Sequence, residues 1–102
     1  MLAHNVYFSL KDRTASAIKS LVESGKKYLS GHSGTVFFAI GTLNQELDRP
    51  VNDRNFDVAL HVIFDNSESH DAYQVDSRHK EFIAANQENW EQVRVFDSNV
   101  EG

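Results

Sequence analysis

The chain opens on a strict alternation. In LAHNVYFSL, residues 2–10, Leu2, His4, Val6, Phe8 and Leu10 share one face, and Ala3, Asn5, Tyr7 and Ser9 share the other. A period of two is the signature of a strand, because successive side chains leave a pleated backbone on opposite sides. From about Thr14 to Ser30 the period changes. Ile18, Leu21, Val22, Gly25, Tyr28 and Leu29 fall on a single helical stripe, while Lys19, Glu23, Lys26 and Lys27 lie off it. Thr14 or Asp12 supplies an N-terminal cap, and Gly31 suits the left-handed position that ends a helix. A second strand spans GTVFFAIGT, residues 34–42, and a third FDVALHVIF, residues 56–64, with a long polar loop, residues 43–55, between them. The third strand puts Phe56, Val58, Leu60, Val62 and Phe64 on one face and Asp57, Ala59, His61 and Ile63 on the other. A short helix starts near Ser67. Asp76 caps a further helical stretch whose stripe is His79, Phe82, Ile83, Asn86 and Trp90. The final strand is EQVRVFDS, residues 91–98, with Val93 and Val95 opposite Arg94 and Phe96.

The order β-α-β-β-α-β, joined by right-handed crossovers, implies an α+β fold of the ferredoxin-like type: a four-stranded antiparallel sheet with the helices on one face. One domain occupies residues 1–98, and residues 99–102 read as a frayed tail. No helix remains for the other sheet face, which carries Tyr7, Ala59, His61 and Ile63. A second copy of the chain, sheet against sheet, is the economical cover, so a homodimer is expected.

Composition narrows the function classes. A chain of 102 residues with 40% hydrophobic and 25% charged residues is a globular domain with a modest core. The net charge of −5 argues against a nucleic-acid binder, and the Lys26–Lys27 pair reads as a solvated helix face. The absence of cysteine removes disulfides and thiolate chemistry. No apolar run is long enough for a membrane span, and the alternating start does not read as a signal peptide, so the default expectation is a cytoplasmic protein.

Candidate chemistry centres on histidine. His79 shares its helical stripe with Phe82 and Ile83, and His4 shares a strand face with Val6 and Phe8, so both rings point between helices and sheet, with Tyr73 nearby. A neutral imidazole there could act as a general base near neutral pH, with Tyr73 donating to an enolate oxygen; equally, the rings could be packing residues or the polar wall of a ligand pocket. The lining expected for such a pocket is Val6, Phe8, Val58, Leu60 and Phe82, with Gly25 opposite. Gly25 either lets the helix approach the sheet closely or leaves a cavity above it. His61 points to the partner face. His32 and His70, at element ends, read as exposed. DNSESHD, residues 65–71, has the oxygens of a calcium loop but lacks its turn glycine and terminal glutamate, and no other stretch has metal-ligand spacing, so neither metal nor cofactor is expected.

The opening AHNVYFSLKD, the strand FDVALHVIF, the stretch HDAYQVDSRHKEFI and the closing VRVFD together resemble the stress-responsive α/β-barrel family over nearly the whole chain. The resemblance implies a dimeric α+β barrel. One branch of that family is similar to a plant polyketide cyclase that carries out an intramolecular aldol condensation with a histidine base. Its helix histidine corresponds to His79, its tyrosine partner to Tyr73 and its first-strand histidine to His4. A further cyclase histidine corresponds to Val58, and a helix tyrosine falls near Gly25. The readings that follow are a dimeric binder of a small apolar molecule, a cofactor-free cyclase or small monooxygenase, and a purely structural stress protein.

Overall fold

A computed structural model describes all residues, 1–102. The elements are β1 (Leu2–Leu10), α1 (Ala15–Leu29), β2 (Thr35–Thr42), β3 (Val58–Phe64), α2 (Ser67–Val75), α3 (Ser77–Asn86), a single 3-10 turn at Gln87–Asn89, and β4 (Trp90–Asn99). The four strands form one antiparallel sheet in the order β2-β3-β1-β4. This is the ferredoxin-like arrangement that the hydrophobic pattern implies.

Local chemistry sets the helix boundaries. Thr14 Oγ1 accepts a hydrogen bond from Ala17 N at 3.3 Å, and Asp12 in turn accepts from Thr14 N at 3.0 Å, so both candidate caps are used in series. Gly31 takes φ +74°, the left-handed conformation in which a side chain would be strained. The second helical region is interrupted at Asp76, whose extended backbone ends α2 and whose carboxylate accepts from Arg78 N at the start of α3.

The core lies between the helices and one sheet face. Val6, Phe8 and Leu10 of β1 and Val58, Leu60, Val62 and Phe64 of β3 meet Leu21 and Leu29 of α1, Tyr73 of α2 and Phe82 of α3. Each is nearly free of water, so burial at about 25 cal/mol per Å2 of apolar surface dominates the stability of this layer.

Several expectations change. Gly25 is a point of close approach and not a cavity wall: a Cβ there would overlap Ile40 Cδ1 of β2. Trp90 does not continue the α3 stripe but opens β4, and its ring rests on Phe8 and Phe82, at centroid distances of 5.1 and 5.8 Å. Phe56 and Asp57 precede β3. Asp57 is drawn inside because its carboxylate accepts from Leu10 N at 2.8 Å and pairs with Arg13 at 3.1 Å. The tail is held further than expected: β4 runs to Asn99, and Val100 N donates to Met1 O at 2.9 Å.

On the other sheet face no helix packs. The loop 43–55 folds over part of it, anchored by Arg94 to Asp53 at 2.8 Å and to the Asn55 carbonyl at 3.3 Å. Tyr7 packs edge-on against Phe56 and Phe96 at 5.0 and 5.8 Å. Beyond the loop, Phe37 and Phe96 remain more than half exposed, and Tyr7, His61 and Ile63 are half-buried. His61 is satisfied within the chain by Asn5, at 2.8 Å.

Candidate functional site

The helix-facing alternation of β1 carries His4 into the core layer, and antiparallel pairing sets it opposite Asp97 of β4. His4 Nδ1 and Asp97 Oδ1 are 2.6 Å apart. A carboxylate can only accept, so the imidazole donates from Nδ1 and leaves Nε2 free. From above, α2 contributes His70 and Tyr73, three residues apart and therefore on one helical face. The His4 and His70 rings lie 4.8 Å apart, and those of His4 and Tyr73 5.9 Å. From α3, His79 stands edge-on to Tyr73 at 4.8 Å, and from the turn after α1, His32 does the same at 5.0 Å.

Four histidines thus surround one tyrosine. His32 and His70 are corrections to the expectation of exposure: His32 is buried and bonded to the Tyr28 carbonyl at 2.7 Å, and His70 is half-buried with Gln74 at 2.9 Å. The spacing signal for His70 existed, since it stands one turn before Tyr73.

Beside this cluster is a cavity of ≈ 460 Å3 between the helices and the β1–β4 half of the sheet. His4, His70, Tyr73, His79 and Asp97 line its polar end; Val6, Phe8, Leu60, Phe82, Trp90 and Val95 are among its apolar walls. Gly25 and Val58 do not reach it; Val58 is fully buried in the core. Val93 and Val95 are partly exposed because no helix covers the β4 side, which leaves the cavity a mouth there.

Three residues that line this cavity carry a buried polar atom with no partner: Tyr73 Oη, His79 Nδ1 and Trp90 Nε1. Elsewhere in proteins such groups are nearly always bonded, because leaving one buried and unpaired costs about 1–3 kcal/mol. Burial also shapes the titration of the cluster. It pushes the Tyr73 phenol well above its usual range, so the group remains a protonated donor. It lowers the His79 imidazole, helped by the nearby His4, His32 and His70 and opposed by Asp76. His70 is likewise lowered, by burial and then by His4, against Asp97 and Asp71. The site is therefore a pocket with an apolar body and an end rich in imidazole groups beside the Tyr73 hydroxyl.

Fold and cavity together define a ferredoxin-like α+β domain with a histidine-lined pocket between helices and sheet. Residues 2–100 match the stress responsive A/B barrel domain family, and the chain belongs to that family. No curated protein sequence matches it. Similar solved structures include a family member with a ferredoxin-like fold from Mesorhizobium loti, 20% identical, with a TM-score of 0.79 and 99% of this chain and 97% of that one covered. A dimeric ferredoxin-like protein of unknown function from Thermobifida fusca is 17% identical, with a TM-score of 0.79 over 97% and 90% of the two chains. The hydroxynitrile lyase of Passiflora edulis is 16% identical, with a TM-score of 0.77 over 98% and 93%. At these identities the likeness is one of fold. No helix of the protein is long and apolar enough to cross a membrane.

Proposed function

We propose that the protein is a homodimer that holds a small, largely apolar molecule, bearing an oxygen acceptor, in the cavity between helices and sheet. The observation that carries this reading is a cavity of ≈ 460 Å3 whose polar end is built from His4, His70, Tyr73 and His79, with Tyr73 Oη and His79 Nδ1 unpaired within the chain. A phenol is a donor, so a carbonyl or ether oxygen that reaches Tyr73 would satisfy it, while Val6, Phe8, Leu60 and Phe82 take up a hydrocarbon body. The volume falls within the roughly 300–1,000 Å3 range of small-ligand sites. A purely structural protein would gain by filling such a space, because voids in a packed core are costly.

The homodimer is supported by the open sheet face. Phe37 at 55% and Phe96 at 52% exposure flank the half-buried Tyr7, His61 and Ile63, with the buried Ala59 between them. A second copy would remove this apolar surface from water, as the dimeric description of the Thermobifida fusca protein also favours. A cysteine-free chain of this kind suits the cytoplasm.

A cofactor-free enzyme is the second reading, favoured by one further observation. His79 Nδ1 has no structural duty, and its ring stands 4.8 Å from a tyrosine that remains a donor. That pair can take a proton beside a carbonyl and stabilise the resulting oxyanion.

The test is calorimetric titration with a series of medium-chain ketones and alkylphenols, following a thermal-shift screen. Saturable binding that weakens roughly tenfold in Tyr73→Phe supports the binding reading. Binding equal in both proteins would remove Tyr73 from recognition. For the enzymatic reading, His79→Gln must abolish turnover of an enolisable ligand while binding persists.

A further inference from the structure

We propose that His4, His70 and Asp97 form a site for a divalent transition-metal ion, Zn2+ or a chemically similar cation, at the polar end of the cavity. The three residues are remote in sequence and come from β1, α2 and β4. One ring nitrogen of each histidine and one carboxylate oxygen of Asp97 all lie within 4.8 Å of one another.

Geometry and donor chemistry carry the assignment. Bonds of about 2.0–2.2 Å to nitrogen and oxygen hold the ligands of a tetrahedral ion about 3.4 Å apart. The ion takes the place of the proton between His4 Nδ1 and Asp97, which are 2.6 Å apart and must open slightly, with the ring carrying its proton on Nε2 instead, and His70 must close by about an ångström. Both movements are available. Asp97 is 45% exposed on its side chain, and His70 is half-buried on a nine-residue surface helix. His4, by contrast, is held in the core at 4% exposure and gives the site a fixed member. Two imidazoles and one carboxylate select zinc, cobalt, nickel, copper or ferrous iron over magnesium and calcium, which require oxygen ligands.

The surroundings meet the other requirements of a metal site. Asp97 stands where the cavity meets solvent, so an ion has an entry path. Gln74 reaches His70 Nε2 at 2.9 Å; with the ion on Nδ1 the ring proton sits on Nε2, so the Gln74 amide turns to accept it through its oxygen and holds the ring from the side of the helix. Three protein ligands leave at least one coordination position open for water or a ligand oxygen. His61, bonded to Asn5 on the opposite sheet face, belongs to no such set.

The experiment uses the tag-free full chain after chelator treatment, with no organic ligand present, so that its result is independent of the pocket-binding proposal. Co2+ is titrated and read by its visible absorption, and Zn2+ is then added to displace it. The expected result is stoichiometric uptake, one ion per chain, with loss of the cobalt bands on zinc addition. In long-range 1H–15N spectra the ring signals of His4 and His70 should shift with Zn2+ while those of His61 stay in place. His70→Gln and Asp97→Asn should each weaken binding by roughly tenfold or more. No saturable uptake by the wild-type chain overturns the proposal without recourse to any variant. Uptake that leaves the His4 and His70 signals unmoved, or that is unchanged in both variants, overturns it equally.

Discussion

Replacing Tyr73 by phenylalanine should make the ligand-free protein more stable, although Tyr73 is among the most buried residues of the core. The substitution deletes one oxygen and keeps the ring. The ring contacts at 5.0 Å to Phe64, 4.8 Å to His79 and 5.0 Å to His32 therefore survive. What disappears is a hydroxyl with no hydrogen-bond partner in a residue only 2% exposed. Burying an unsatisfied polar group costs about 1–3 kcal/mol, so its removal should return about 1 kcal/mol or more. For a domain near this size that is a rise in Tm of about 4–8 °C per kcal/mol. Urea unfolding, with its slope compared between the two proteins, measures the change directly. The same variant should bind an oxygen-bearing ligand less well, so stability and affinity move in opposite directions. That opposition separates a recognition group from a packing group. A Tyr73→Phe protein less stable than wild type by about 1 kcal/mol would refute the reasoning, since the hydroxyl would then be bonded in the folded state.

Gly25→Ala should move the urea midpoint little, within about 1 kcal/mol, because its Cβ meets only the flexible end of the Ile40 side chain and alanine gains about 1 kcal/mol in the helix, whereas Gly25→Leu should destabilise by about 1–3 kcal/mol; an unchanged midpoint in the leucine variant would contradict the close approach. Acid should weaken the metal-free protein through His79. Its folded-state pKa lies below the unfolded value of about 6.5, so the unfolded chain binds more protons and stability falls as pH drops from about 7 through 6.5 and onward to the folded-state value. The groups acting on it are His4, His32 and His70, which disfavour its charge, and Asp76, which favours it. His79→Gln should show a smaller loss between about pH 7.5 and 5.5, and an equal loss would contradict this. Phe37→Asp should shift the light-scattering mass from two chains to one, since Phe37 is 55% exposed on the open sheet face; a wild-type monomer at micromolar concentration would contradict the dimer.

The longer elements and their faces were legible because their periods are clean. The alternation in residues 2–10 and 58–64 and the stripe through Leu21 and Leu29 place the core without further information. The inward direction of His79 followed from Phe82 and Ile83 in the same way. The polar cluster was less legible because it depends on register. Nothing local joins His4 to Asp97; the β1–β4 pairing does. His32 turns inward only because the left-handed Gly31 reverses the chain toward Tyr28. α2 has only nine residues and one buried member, so its pattern is too short to reveal that His70 follows Tyr73 inside. Gly25 permitted two physical readings, and only the position of Ile40 decides between them.

The central claim, that the helix–sheet cavity is a ligand site, is tested most directly by filling it. Val95 lines the cavity at its half-exposed edge, so Val95→Trp can occupy the space from the rim without disturbing the buried core. The measurement is the Kd of the tightest ketone or alkylphenol for the wild-type and Val95→Trp proteins by calorimetry. The account predicts saturable binding to wild type and a loss of roughly tenfold or more in the filled variant, with an unchanged unfolding midpoint. Equal affinity in the two proteins, or no binding by any member of the series, would contradict it.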